Sequence, residues 1–250
     1  MIDAILKGKL SVTEDVLTSC VVGMLEKLPC EYGLLKWLER ARPLGAMREA
    51  LHFGPAAHAK VWFWPRTANH GEPDVFVMVE DGTIAHAIVL EAKYGAQKSN
   101  WDLIDAQDRR RDQLVRYWEA LRLLDMPGVS EDLLERAEKT VVYVTQHGTP
   151  PVEELQESLK SVDEIRLAWL SWRDAWDLAE RFRTSGEPAT AWLLTFLEHL
   201  GLMQFRGFDF KTDPIVEAPL WYFDRGGFDA VARIGVAPEL LWRYAGEGTR

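Results

Sequence analysis

Asp74, Glu91 and Lys93 are charged residues at the ends of two runs, 75–79 and 84–90, made mostly of apolar and β-branched side chains. Two carboxylates and an ammonium at one end of buried strands are costly to desolvate unless they meet a metal ion or one another. Their positions follow from the segment that carries them. Glu80-Asp81-Gly82-Thr83 separates the runs, and Asp-Gly between apolar runs is a strong hairpin signal. Both runs are apolar on nearly every position, so the hairpin is expected to be buried on two faces and central in a sheet. Glu91 and Lys93 are two apart on a strand, so their side chains leave on one face.

Pro73-Asp74 followed by Glu91-Ala92-Lys93 resembles the signature of the PD-(D/E)xK nuclease superfamily, the restriction-endonuclease-like fold. The resemblance implies metal-dependent phosphodiester cleavage. Hard cations take oxygen ligands, and it implies Asp74, Glu91 and the backbone carbonyl of Ala92 as ligands of Mg²⁺, for which Mn²⁺ can substitute. Lys93 would orient the attacking water or offset phosphate charge. Many members complete the site with an acid on the first helix, and Glu14 is the candidate here. Ser11-Val12-Thr13-Glu14 also fits a capping box with Ser11 as N-cap, which by itself explains Glu14. Both readings stand at this point. Glu26 and Glu31 are secondary candidates for that acid, and Asp15 points away from the face of Glu14.

Gln113 and Tyr117 are four apart, about one helical turn, and share a face. The pair resembles the Gln-x-x-x-Tyr motif of the RecB-like branch of the superfamily, where it follows the Glu-x-Lys strand on the next helix. The resemblance implies that both residues support the site and the DNA, with Arg110 from the run Arg109-Arg110-Arg111 bordering the same cleft. Three successive arginines fan around a helix, and such a run is also an ordinary solvated face. Some relatives in that branch carry an iron–sulfur cluster on four cysteines; Cys20 and Cys30 are the only cysteines here, so none is expected.

The elements around the hairpin read as follows. An amphipathic helix follows residues 11–14 and stops before Pro29. Residues 31–50 read as a further helix, interrupted near Pro43. A short strand at 61–64 should pair with the hairpin. The loop from Arg66 to Gly71 leads to Glu72-Pro73-Asp74, where Arg66 and His70 could touch a phosphate and Glu72 could act in the outer shell of the site, with plain loop the simpler reading of His70 and Glu72. A helix at 100–124, with Ser99 as N-cap, would cross over to a strand at 140–145 running parallel to the Glu-x-Lys strand. His147 ends that strand and is read as loop. A helix at 152–161, a strand at 165–172, a helix from Arg173 and an amphipathic helix at 189–200 complete the pattern.

The fold class expected is α/β: a restriction-endonuclease-like core whose central mixed sheet of about four to five strands is flanked by helices. Residues 1–204 would form the nuclease-like domain. Residues 205–250 would be an aromatic-rich C-terminal extension. With 250 residues, 47% hydrophobic and 27% charged, the chain is of globular composition. It lacks a membrane-length apolar run, a signal-peptide core and a disulfide framework, so a cytoplasmic home is expected. The net charge of −10 counts against bulk nucleic-acid affinity but not against a local basic site. The expected function is a Mg²⁺-dependent nuclease acting on DNA, within a bacterial restriction, repair or phage-defence system that supplies protein partners. The alternative is a catalytically idle scaffold or adaptor subunit in which the same charges form an ion-pair cluster.

Overall fold

A computed structural model of the chain describes residues 5–7, 11–82, 84–95 and 112–204. All of them fall within the unit Met1–Phe205. The extension expected at 205–250 and Arg110 lie outside the described residues.

The apolar runs form the hairpin. Strand β3 (Val75–Asp81) pairs antiparallel with β4 (Ile84–Ala92), with Asp81 opposite Ile84. The turn therefore centres one residue later than Asp81-Gly82, and Gly82 takes the positive φ of 57° that a tight hairpin turn requires. Neighbouring side chains along β3 and β4 enter different cores. Val75, Val77, Val79, Ile88 and Leu90 join one; Phe76, Met78, Ala87 and Val89 join the other. This is why the runs do not alternate with polar residues: both faces are covered. Full burial of each such side chain contributes roughly 1.5–3 kcal/mol.

The sheet has six strands. The others are β1 (Arg42–Gly45), β2 (His58–Phe63), β5 (Glu138–Thr145) and β6 (Arg166–Ser171). Their order is β1-β6-β5-β4-β3-β2. β4, β5 and β6 run parallel, while β1, β2 and β3 pair antiparallel to their neighbours. The sheet is thus mixed and open, with the Glu-x-Lys strand at its middle. It exceeds the expected four to five strands by β1, a stretch read from sequence as helix. The helix there, α2, spans only Leu34–Leu38. Pro43 disfavours a helical residue before it and lacks an N–H, so the chain goes extended and takes an edge position beside β6.

Helices cover both faces. α1 (Glu14–Lys27), α2, α6 (Trp172–Glu180) and α7 (Pro188–His199) pack on the first core, where Trp37 stacks on Trp172 at 5.5 Å. α3 (Gln113–Arg122), α4 (Glu131–Arg136) and α5 (Val152–Ser161) pack on the second. The N-cap of α3 is Asp112, whose extended ψ of 136° and bond from Leu114 N–H at 2.8 Å end the helix there. The expected helix through 100–124 is therefore not continuous across residue 112. Among the described residues no helix is long and apolar enough to cross a membrane.

Candidate active site

The hairpin register decides where the carboxylates stand. Val75 pairs with Leu90, so one further step places Asp74 opposite Glu91. Directly opposed residues have Cβ atoms about 4.5–5.5 Å apart. In pleat phase with Phe76 and Val89, both side chains leave toward the face that α3 covers. Asp74 Oδ2 accepts the backbone N–H of Ala92 at 2.7 Å, while its own carbonyl accepts Trp64 N–H at 3.0 Å. The N–H and C=O of a strand residue leave toward the same neighbour, so the Ala92 carbonyl shares the Asp74 side.

Lys93 joins the two layers. Its N–H donates to the Val144 carbonyl at 2.8 Å, extending the pairing of β4 with β5. Its ammonium donates to Glu91 Oε1 at 2.5 Å and to Glu14 Oε1 at 3.0 Å. Glu14 Oε2 also accepts Tyr94 N–H at 3.0 Å. The capping reading of Glu14 is corrected by this geometry. Thr13, not Ser11, is the N-cap of α1 and accepts Val16 N–H at 3.3 Å, so Glu14 is the first helical residue and its carboxylate turns to Lys93. Glu26 pairs with Lys27 in the last turn of α1, and Glu31 is exposed beyond it.

Gln113 and Tyr117 face the hairpin. Gln113 Nε2 donates to the Tyr117 hydroxyl at 3.0 Å, and that hydroxyl donates to the Glu72 carbonyl at 3.1 Å. This ties α3 to the residue two before Asp74. Glu72 therefore enters the arrangement through its backbone.

Burial governs the electrostatics. It raises the Asp74 carboxyl to about 6 against the opposing pull of the Ala92 N–H and Lys93. Glu91, 1% exposed, is pushed up to about 8, by burial first and then by the neighbouring Asp74. Burial also works to discharge Lys93, but Glu91 and Glu14 outweigh it and hold Lys93 above an ordinary lysine. One ammonium thus serves three carboxylates. Glu91 Oε2 is buried and has no hydrogen-bond partner among the described residues. A buried carboxyl oxygen left in this way can take a proton, a water or a hard cation. Among the described residues no group of three His, Cys, Asp or Glu side chains is already arranged to hold a metal.

Three neighbours carried no readable signal. Tyr143 lies beside Glu91 in the β4–β5 register and donates its hydroxyl to Glu154 at 2.9 Å. Asp125 holds the loop before Asp74. It accepts Ala68 N–H at 2.8 Å and Asn69 N–H at 3.0 Å, and it contacts His70 Nδ1 at 2.7 Å. Trp64, opposite Asp74 on the outer side of the hairpin, has φ of 48°. His70 is thus engaged in holding its own loop, and Arg66 is exposed on it. His147 is exposed beyond β5, with its ring near the Thr145 hydroxyl at 3.2 Å.

Set against protein-family models, curated proteins and solved structures, the chain matches none of them.

Proposed function

We propose that this chain is a Mg²⁺-dependent nuclease of the PD-(D/E)xK type that hydrolyses phosphodiester bonds, with DNA as substrate. The observation that carries the reading is the buried, unpartnered Glu91 Oε2 beside Asp74. The donor set, carboxylates with a strand carbonyl on the same side, suits a hard cation. Asp74, Glu91 and the Ala92 carbonyl would hold Mg²⁺ or Mn²⁺, with Glu14 contributing directly or through water. Such an ion supplies Lewis-acid polarisation of the phosphate and a more acidic attacking water.

The chain's own residues do the rest. The Ala92 N–H orients the Asp74 carboxylate, and Lys93 places a positive charge beside Glu91 where phosphate charge develops. Tyr117, held neutral by burial, and Gln113 position the backbone at Glu72 and so the start of β3. The test is incubation of the full chain with linear, circular and single-stranded DNA and with RNA, in Mg²⁺, Mn²⁺ or EDTA. Cutting that needs the metal and vanishes in Asp74→Asn supports the reading.

One observation favours a second reading. Lys93 already bridges Glu91 and Glu14, as a static ion cluster would. On that reading the chain is an idle scaffold or adaptor of the same fold, in a multi-protein complex. It binds no divalent ion and cuts nothing.

A further inference from the structure

Trp64 stands out among the described residues near the carboxylates. It follows β2, which stops at Phe63, one residue short of the end expected for the strand at 61–64, and its N–H donates to the Asp74 carbonyl at 3.0 Å. Its φ of 48° lies in the left-handed region, which a bulky side chain adopts only against a steric cost. Yet 38% of its surface is open, and its ring makes a tilted contact with Phe63 at 5.6 Å between centroids. A strained backbone that leaves a large aromatic ring partly in water does little for the fold itself.

The loop that follows is held firmly. Thr67 donates its N–H and its hydroxyl to the Gly71 carbonyl at 3.0 and 2.7 Å, and Asp125 holds Ala68, Asn69 and His70. Pro65 is buried and Arg66 is exposed. An aromatic ring and a guanidinium two residues apart, on a braced loop next to paired carboxylates, match the two parts of a nucleotide. A ring stacks on the base, and a cation meets the phosphate.

We propose that Trp64 is the stacking platform for an unpaired nucleobase beside the candidate centre, and that the substrate is therefore single-stranded or frayed nucleic acid. The inference rests on the nuclease reading. In a duplex both faces of each base are already covered by neighbours, so a stacking ring gains nothing there unless the strand opens. Arg66 takes the adjoining phosphate.

The test uses the full chain and matched oligonucleotides carrying 2-aminopurine, single-stranded or in a blunt duplex, with Ca²⁺ in place of Mg²⁺ to slow cutting. Wild type should prefer the single strand and quench the probe. Trp64→Gly should weaken single-strand binding by about tenfold and abolish the quench, with little change for duplex. Trp64→Phe should keep both. Glycine accepts a positive φ, which offsets part of the packing lost with the ring, and a cooperative melt of Trp64→Gly above the assay temperature shows that lost binding is not lost folding. Undiminished single-strand binding by Trp64→Gly, or a wild-type preference for duplex, overturns the inference while leaving cleavage intact. A wild type that neither binds nor cuts nucleic acid overturns the nuclease reading and this inference together.

Discussion

Asp74 and Ala92 are joined by a bond from a strand N–H to a carboxylate, at 2.7 Å, across the open end of the β3–β4 hairpin. The bond sets the orientation of the Asp74 carboxylate. It also places Asp74 where the next rung of the ladder would be, opposite Glu91.

Replacing Asp74 separates charge from geometry. Asp74→Asn retains an oxygen for the Ala92 N–H, whereas Asp74→Ala leaves that donor unsatisfied at a cost of about 1–3 kcal/mol. On the nuclease reading, both should abolish cutting and the rise in melting temperature with millimolar Mn²⁺. Asp74→Asn should melt at or above wild type without metal, and Asp74→Ala below Asp74→Asn. Thermal melting of the three proteins, with and without Mn²⁺, reads this directly.

The raised carboxyls make stability depend on pH. Asp74 moves from 3.8 to about 6 and Glu91 from 4.5 to about 8 on folding. The folded chain therefore holds protons that the unfolded chain has released. The stabilising contribution is present at low pH and is lost as pH rises through about 6 and then about 8, so metal-free stability should fall between roughly pH 4 and pH 8. Glu91→Gln should flatten most of that slope. A metal-free melting temperature that climbs over this range in wild type would count against the assigned protonation.

Above about pH 8, where Glu91 is ionised against the buried Lys93, loss of the ammonium strands a charge. Lys93→Ala should cost about 3–5 kcal/mol in EDTA. On the nuclease reading, Mn²⁺ recovers much of that loss, since an ion can replace the missing positive charge, while cleavage stays poor. On the adaptor reading Mn²⁺ recovers nothing. Denaturant melts in EDTA and in Mn²⁺ distinguish the two.

Tyr117→Phe removes one hydroxyl that both accepts from Gln113 and donates to the Glu72 carbonyl. Stability should drop by about 0.5–1.5 kcal/mol. On the nuclease reading, cutting should slow through a less well held Asp74, with melting still cooperative. Gln113→Ala should leave the bond from Tyr117 to Glu72 in place, so α3 stays tied to the start of β3. Equal activity in all three proteins would reduce the pair to a packing contact.

How much of this was readable follows from the kind of signal each part left. The hairpin was plain in the sequence because two-sided burial writes itself as an unbroken apolar run, and the Asp-Gly turn punctuates it. The position of β5 followed from the need for a crossover. β1 was misread because Leu34, Leu35, Trp37 and Leu38 set a helical period that Pro43 stops only a few residues later. Glu14 was ambiguous because a capping box on Ser11 explains a glutamate there as well as a metal site does, and the sequence does not announce that the helix starts from Thr13. The contact of Asp125 with His70 spans a separation of 55 residues, and nothing local announces it. The strain at Trp64 is a backbone property that residue type does not reveal.

The pairing that opposes Asp74 and Glu91 also restricts how this stretch can change in length. Successive residues of β3 and β4 belong to different cores, so a single-residue deletion within either strand would send its charged end to the opposite face. Phe76 and Met78 would exchange environments with valines in the same step. Only matched changes, one residue on each side of the Gly82 turn, preserve the opposition. Natural length variants of this hairpin should therefore differ by even numbers of residues, and an odd change should be accompanied by a bulge that restores the phase.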